Sequence, residues 1–402
     1  MKKKKVLLAF SGGLDTSYCA IYLTKEKEYE VHTAAVNTGG FDETEQEKLA
    51  EKAKALGIKN HLCLDVEEEF YQKGIKYLVF GNVLKNHTYP LSVSAERVFQ
   101  AVAIAKYAKE IGADAIAHGS TGAGNDQVRF DLVFNVMAPE LEIITPIRDQ
   151  QLSREEEVEY LKYHGIHQEW EKAKYSINKG LWGTSVGGAE TLTSNKPLPE
   201  EAWPTPVGNK DSLLVELDFE NGEFIGIDGQ KFKPVQAIRK LQSMAEPYGI
   251  GRDVHVGDTI IGIKGRVGFE APAPLIIIKS HQLLEKHVLG KWQLYWKDQL
   301  SEWYGMLMHE GQFLDPVMRN IEAFLEDTQK NVTGKVLVKL ETKRFELQGI
   351  DSKYDMMSSE FGQYGEMNEA WSGEDVKGFT KILSNSMLIQ KQIQEKQAQQ
   401  ND

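Results

Sequence analysis

The chain has 402 residues, 41% of them hydrophobic and 26% charged, and carries a net charge of −12. That length exceeds one average domain and suits two with a short third element. Two cysteines, Cys19 and Cys63, exclude a disulfide framework or a four-cysteine metal site; the acidic balance argues against extended contact with a nucleic-acid backbone, and no apolar run nears the ~20 residues of a membrane span.

Lys2–Lys5 followed by Val6–Phe10 imitates an export signal. Its apolar part is short and runs into Ser-Gly-Gly without a cleavage site, so a cytoplasmic location is expected. Hydrophobic periodicity then predicts a strand at Val6–Phe10, a helix at Asp15–Lys25, a strand at Val31–Val36 and an amphipathic helix at Glu43–Leu56 stopped by Gly57. A strand at His61–Leu64, helices at Glu67–Leu84 and Ala95–Ile111, and a strand at Ala113–Ala117 follow. Gln127–Met137 reads as a helix, Glu142–Thr145 as a strand and Arg154–His164 as a helix. This alternation predicts a doubly wound, mostly parallel α/β sheet that binds ligands beyond the carboxyl ends of its strands.

Lys179–Pro206, rich in Gly, Pro, Thr and Asn, reads as a linker. Beyond it, Leu213–Glu220 and Glu223–Ile227 form a predicted hairpin around Asn221-Gly222. Val235–Ala245 and Gln312–Gln329 read as helices, and Ile260–Lys264, Leu275–Ile278, Gly334–Glu341 and Arg344–Gln348 as strands. A helical stretch is expected to begin at His281–Leu289. The expected division is a nucleotide-binding domain over 1–171, an α+β domain over 172–365 and a helical tail over 366–402. Met387, Leu388 and Ile393 are the tail's apolar points.

The strongest chemical signal is Ser11-Gly12-Gly13-Leu14-Asp15-Thr16-Ser17, set between a strand and a helix. Backbone amides and the helix's positive end make such a turn a phosphate cradle. It lacks the Gly-Lys-Ser/Thr of a Walker loop and the spacing of G-x-G-x-x-G. Asp15 beside a phosphate would repel it without an intervening cation, which implies Mg²⁺. An ordinary tight turn with a capping Ser or Asp is the plainer reading. A second block, His118-Gly119-Ser120-Thr121-Gly122-Ala123-Gly124-Asn125-Asp126-Gln127-Val128-Arg129-Phe130, also follows a strand and precedes a helix. Its mix of amide, carboxylate and guanidinium suits a zwitterionic ligand, and helix capping by Asn125 or Asp126 is compatible with that role.

The first block resembles the pyrophosphate loop of the ATP pyrophosphatases, and the second resembles the H-G-x-T-G-K-G-N-D-Q-V-R-F-E signature of argininosuccinate synthases. Weaker similarity runs through Pro146–Arg148, Tyr175–Ser176, Leu181–Trp182 and Glu270-Ala271-Pro272-Ala273. The resemblance implies a ligase that condenses citrulline and aspartate with ATP to give argininosuccinate, AMP and pyrophosphate, assembled as a homotetramer. It further implies that Ala9, Phe10, Ser11, Gly12, Gly13, Leu14, Asp15, Thr16 and Ser17 hold ATP with Ala35 and Gly119. Thr121, Asn125 and Asp126 would bind aspartate, and Tyr89, Ser94, Asn125, Arg129, Ser176 and Ser185 citrulline. Asp15 and Asp126 stand as the catalytic candidates; no metal ligands are assigned.

The chain departs from the family at Ala123, where Lys is usual, at Asp131 in place of Glu, and at Asn178-Lys179-Gly180 in place of a more acidic stretch. Gly257 and Phe269 stand where the family has Glu and Tyr at the amino-acid end of citrulline. One reading is a substrate whose α-nitrogen is acylated, with Lys264 and Arg266 near enough in sequence to meet an acidic acyl group. The other is a one-residue slip that leaves Asp258 as the ammonium partner. Two further functions compete with the ligase. A tRNA-thiolating ATP pyrophosphatase would need paired reactive cysteines, and a non-catalytic ATP-binding regulator would not need the second glycine loop.

Overall fold

The computed structural model describes residues 3–168, 170, 174–208, 210–358, 364–366 and 370–401. Strands β1 (Lys5–Ala9), β2 (Glu30–Asn37), β3 (Asn60–Asp65), β4 (Ala115–Ala117) and β5 (Glu142–Ile144) form one sheet in the order β3-β2-β1-β4-β5, all pairs parallel. Helices cover both faces, as side-chain alternation requires. Leu7, Ala34, Val36 and Ile116 join one buried cluster with the helix Ser92–Glu110, while Val6, Leu8, Val31, Ala115 and Ala117 join another with Leu14–Lys25. The strand order reverses between β1 and β4, and the two glycine loops leave the carboxyl ends of those two strands. Such a switch point opens a crevice in a parallel sheet.

Two antiparallel sheets follow. Strands β6 (Ser176–Gly180), β7 (Gly183–Gly187), β11 (Arg252–Asp258) and β12 (Lys264–Glu270) form one, in the order β11-β12-β7-β6. Strands β8 (Leu213–Glu220), β9 (Glu223–Ile227), β10 (Gln230–Lys231), β13 (Gly334–Glu341) and β14 (Arg344–Asp351) form the other, in the order β10-β9-β8-β13-β14. The hydrophobic cluster that begins at Leu7 continues without a break to Leu340, so these sheets share a core with the parallel sheet. Residues 1–353 make one compact unit and 354–402 a second. The second contains helices Gly373–Leu383 and Asn385–Asn401. No helix among the described residues is long and apolar enough to cross a membrane.

Several predicted elements are corrected. The expected linker over 179–206 contains β7 and the end of β6. Its small and β-branched residues pair as a hairpin because β12 supplies β7 with a neighbour. Ile260–Lys264 is the turn of the β11–β12 hairpin apart from Lys264, which starts β12. Leu275–Ile278 lies inside a helix, Pro272–Val288, whose two prolines occupy its first turn, where a missing N–H costs nothing. The helical stretch expected to begin at His281–Leu289 is the end of that helix followed by a second, Lys291–His309. The helix predicted over 67–84 runs Glu67–Phe70, through a π turn at Tyr71–Ile75, to Lys76–Phe80. At the π turn the backbone of Gly74 presses on Phe99, 2.7 Å from an ideal Cβ to that ring.

Candidate active site

The helix Leu14–Lys25 starts at Gly13 with no side-chain cap, so its first amides are left for an anion. Gly12 adopts φ +71°, and a Cβ there would lie 2.7 Å from Leu49; the loop turns tightly against the helix Glu43–Ala55 and admits no side chain. From that helix Lys52 Nζ donates to the Gly12 carbonyl at 3.4 Å, bringing to the loop a positive charge that its own sequence lacks. Ser11 Oγ and Thr16 Oγ1 are 3.3 Å apart at the mouth of the loop, and Ser17 Oγ donates back to the Gly13 carbonyl at 2.8 Å. The second loop touches the first: an ideal Cβ on Gly119 would be 3.2 Å from Asp15 and from the Thr16 nitrogen.

Asp15 meets Glu157 of the helix Arg154–Tyr163 in a carboxyl pair. Burial raises both carboxyls, the adjoining Asp15 charge raises Glu157 further, and Arg154 offsets only part of this. Glu157 Oε2 is buried without a hydrogen-bond partner. Nothing in the sequence around Glu157 marks it, since the pairing is made across 142 positions of chain.

Asp126 opens the helix Asp126–Met137. Its carboxylate accepts from Arg97 Nε at 3.0 Å and from Arg129 at 2.8 Å. Burial alone would raise this carboxyl, but the two guanidiniums outweigh it and hold it below the usual carboxylate range. Arg129 Nε also donates to the His309 carbonyl at 2.8 Å, and Arg97 to Asn178 Oδ1 at 3.0 Å. Burial and the charges of Arg129, Lys85 and His255 push His309 down to about 2, so it is a neutral imidazole. Asn125 Oδ1 accepts from the Ile260 amide at 2.8 Å, tying the second loop to the β11–β12 turn. Asp131 receives His118 Nε2 at 2.8 Å and Arg148 at 2.6 Å, which orients the buried His118 behind the loop.

The antiparallel sheet β11-β12-β7-β6 supplies the facing wall. Directly paired residues share a face. Asn178 lies opposite Ser185, Ser185 opposite Phe269, and Gly257 opposite Gly265. Tyr89 stacks on His255 with ring centroids 5.2 Å apart, and its hydroxyl accepts from Ser92 and from the Val93 amide. Together these walls bound a cleft of about 1100 Å³.

The cleft brings together Ala9, Phe10, Ser11, Gly13, Leu14, Asp15, Thr16 and Gly119 with Tyr89, Ser94, Thr121, Asn125, Asp126, Arg129, Ser176 and Ser185. Three expected ATP-side residues do not line it. Gly12 is buried beneath the loop, Ser17 turns back on Gly13, and Ala34 and Val36 reach the cleft where Ala35 does not. The cleft also holds Glu96, Arg97, Arg154, His255 and His309, none of which the sequence singled out. Glu96 is buried with Oε1 unpartnered, and burial pushes its carboxyl up to about 8 against the pull of Arg97. No group of three or more His, Cys, Asp or Glu side chains among the described residues is arranged to hold a metal by itself.

Residues 5–167 match the family model for the arginosuccinate synthase N-terminal HUP domain, and residues 175–390 match that for the C-terminal domain of the same family. Among curated proteins, the chain is similar to the argininosuccinate synthase of Methanocaldococcus jannaschii, with 39% identity over 90% of this chain and 91% of the relative. It is 38% identical to that of Dictyoglomus turgidum, over 95% of this chain and 96% of the relative. Identity with that of Xylella fastidiosa is 35%, over 97% of this chain and 98% of the relative. Matched along nearly its whole length, with both signature loops meeting in one cleft, the chain belongs to the argininosuccinate synthase family.

Proposed function

We propose that this chain joins a citrulline to aspartate at the expense of ATP, giving an argininosuccinate, AMP and pyrophosphate. The observation that carries the reading is the single cleft shared by an uncapped, glycine-turned helix N-terminus and a zwitterion-suited array of Asn125, Asp126 and Arg129. A ureido oxygen is a poor leaving group. It attacks the α-phosphorus, pyrophosphate departs, and the oxygen becomes part of an adenylate. The aspartate amine then attacks the ureido carbon, loses a proton, and AMP leaves with the oxygen. No covalent enzyme intermediate is needed; orientation and oriented dipoles carry most of the acceleration.

In this reading the amides from Gly13 to Thr16 and the hydroxyls of Ser11 and Thr16 receive the phosphates. Asp126 and Thr121 hold the aspartate, while Tyr89, Ser94, Arg129, Ser176 and Ser185 hold the citrulline. Asn125 keeps its Nδ2 available for either amino acid, because its oxygen is engaged by Ile260. The donor set at the loop fits Mg²⁺: Asp15 and Glu157 offer adjacent hard oxygens, one of them unpartnered. Bound there, the cation would neutralise charge on the departing pyrophosphate. Cys19 is fully buried and burial raises its thiol, and Cys63 is raised likewise, which disfavours the sulfur-transfer alternative.

We also propose a homotetramer, located in the cytoplasm, with the tail as an oligomerisation arm. Val376, Phe379, Ile382 and Leu383 lie exposed at helical spacing on Gly373–Leu383, and Met387, Leu388 and Ile393 are exposed on the next helix.

The decisive experiment supplies citrulline, aspartate and ATP with Mg²⁺ and identifies the nucleotide product. AMP with pyrophosphate is expected, and ¹⁸O in the ureido group should be recovered in AMP. ADP with phosphate, or label retained wholly in the amino-acid product, overturns the reading.

A further inference from the structure

The helix Lys291–His309 turns Tyr304, Leu307 and Met308 into the core and leaves a broad aromatic surface outside. Trp292, Tyr295, Trp296 and Trp303 are each more than half exposed. At about 100° per residue they share one side of the helix, opposite the core. Gln299 completes this stripe, so no charge interrupts it over about 16 Å of helix. Its rings are already set against one another: Tyr295 meets Trp292 and Trp296 edge-on, with centroids 6.3 and 5.9 Å apart.

Such rings facing water have much to gain from being covered. A buried aromatic side chain removes about 150–250 Å² from solvent, so at these exposures the four offer on the order of 500 Å² per copy. That is near the top of the range for an apolar patch on a monomer. It is more than half of the ~800 Å² that each partner gives to a standard interface. Trp and Tyr are also the residues that dominate interface energies.

The charges beside the stripe indicate what covers it. One flank of the helix carries Lys291, Asp298 and Glu302, and the other carries Gln293 and Leu300. Among the described residues none of the three charged side chains has a hydrogen-bonded or ion-paired partner; Lys291 only rests on the Trp292 ring, 4.5 Å from its centroid. Two copies packed stripe to stripe with their helices antiparallel bring the same flank together in reversed order. Lys291 then meets the partner's Glu302, and the same register sets Tyr295 against the partner's Asp298, because both pairs are centred between Trp296 and Lys297. Trp296 lies at that centre, where an anchoring residue is most completely desolvated. A parallel pairing would set the charged flank against Gln293 and Leu300 and leave all three charges unmatched.

We propose that this face is a self-complementary interface, on which a second copy of this chain lays its own Lys291–His309 helix in the antiparallel sense. The inference stands apart from the ligase reading. It adds to the proposed role of the tail, because a tetramer built from two dimers needs two different self-complementary contacts.

The test is the mass of the full-length chain in solution, by light scattering and by sedimentation across a dilution series. Trp296→Lys should halve that mass at micromolar concentration, through a rise of about 100-fold or more in the dissociation constant, since both copies lose a central anchor. Lys291→Glu and Glu302→Lys should each weaken association about tenfold, by setting like charges together twice in every interface. The double variant Lys291→Glu with Glu302→Lys should return to within about threefold of the starting value; a chain that merely misfolds would not recover. An unchanged mass in Trp296→Lys overturns the interface and leaves the stripe to a different protein. Loss of assembly in Trp296→Lys without recovery in the double charge variant overturns the antiparallel pairing and assigns the stripe to the tail of a second copy.

Discussion

Glu96 and Gly180 divide one volume between them: an ideal Cβ on Gly180 would fall 1.5 Å from Glu96 Oε1. The carboxyl reaches across from the helix Ser92–Glu110 to β6 and can lie there because β6 has no side chain at that point. Gly180→Ala should therefore destabilise the protein by about 1–3 kcal/mol, the usual cost of overpacking. The double variant Gly180→Ala with Glu96→Ala should recover part of that loss. Denaturant midpoints of the four proteins check the coupling; purely additive effects would separate the two residues.

The same glutamate makes stability depend on pH. Its folded value of about 8 lies above the ordinary 4.5, so the folded protein holds this proton more tightly than the unfolded chain. The resulting stabilisation is fully present below pH 4.5 and is lost as pH rises through about 8. Glu96→Gln should flatten the fall in melting temperature between pH 5 and pH 8.5 without nucleotide. An unaltered slope would assign it to other groups, of which Glu157 is raised in the same direction.

Asp126→Asn should damage amino-acid use more than ATP use. The substitution removes the charge that Arg97 and Arg129 share, and loss of a charged hydrogen bond costs about 1.5–3 kcal/mol. The kcat/KM for aspartate should fall about 10- to 100-fold, with the KM for ATP within about threefold of its starting value. A defect confined to ATP would place Asp126 on the nucleotide side.

At the loop, Asp15→Asn and Glu157→Gln should each lower kcat by about 100-fold, typical of losing one preorganised electrostatic contact. Each should also raise the Mg²⁺ concentration for half-maximal rate. Rates that return to normal at saturating Mg²⁺ would reduce the pair to an affinity role, and rates unaltered throughout would remove it from the cation site.

Removal of residues 373–402 should lower the mass in solution measured by light scattering, because Val376, Phe379, Ile382 and Leu383 then lose whatever covers them in an assembly. An unchanged mass would take the tail out of the interface.

The parallel sheet and both glycine loops were legible because local rules govern them: short apolar strands, helices closed by Gly57 and Gly112, and glycines at fixed offsets after β1 and β4. The second half was read less well where local signals mislead. Leu275–Ile278 has the β-branched texture of a strand, yet prolines at 272 and 274 and burial on the second sheet make it a helix. The helix Lys291–His309 falls within the expected helical stretch, but its bounds were not legible because Trp292, Tyr295, Trp296 and Trp303 are exposed on it and blur the usual apolar stripe. Glu157, Lys52, His255 and His309 join the site through tertiary contacts alone, and no spacing in the sequence announces them. Gly257 could be noticed as an odd residue, but its consequence, an imidazole beside a bare rung of sheet, required the register of β11 on β12.

The π turn at Tyr71–Ile75 marks a spot where this fold can change length. A π turn is an α-helix holding one surplus residue. Excising one residue between 71 and 75 should relax it to ordinary helix, and Phe70 and Leu78, both buried, would keep their bearings on either side. The same excision in Ser92–Glu110 would rotate everything downstream by about 100° and throw Ser94 and Arg97 out of register with the cleft. The surplus residue is thus carried in a helix that tolerates it, beside one that could not.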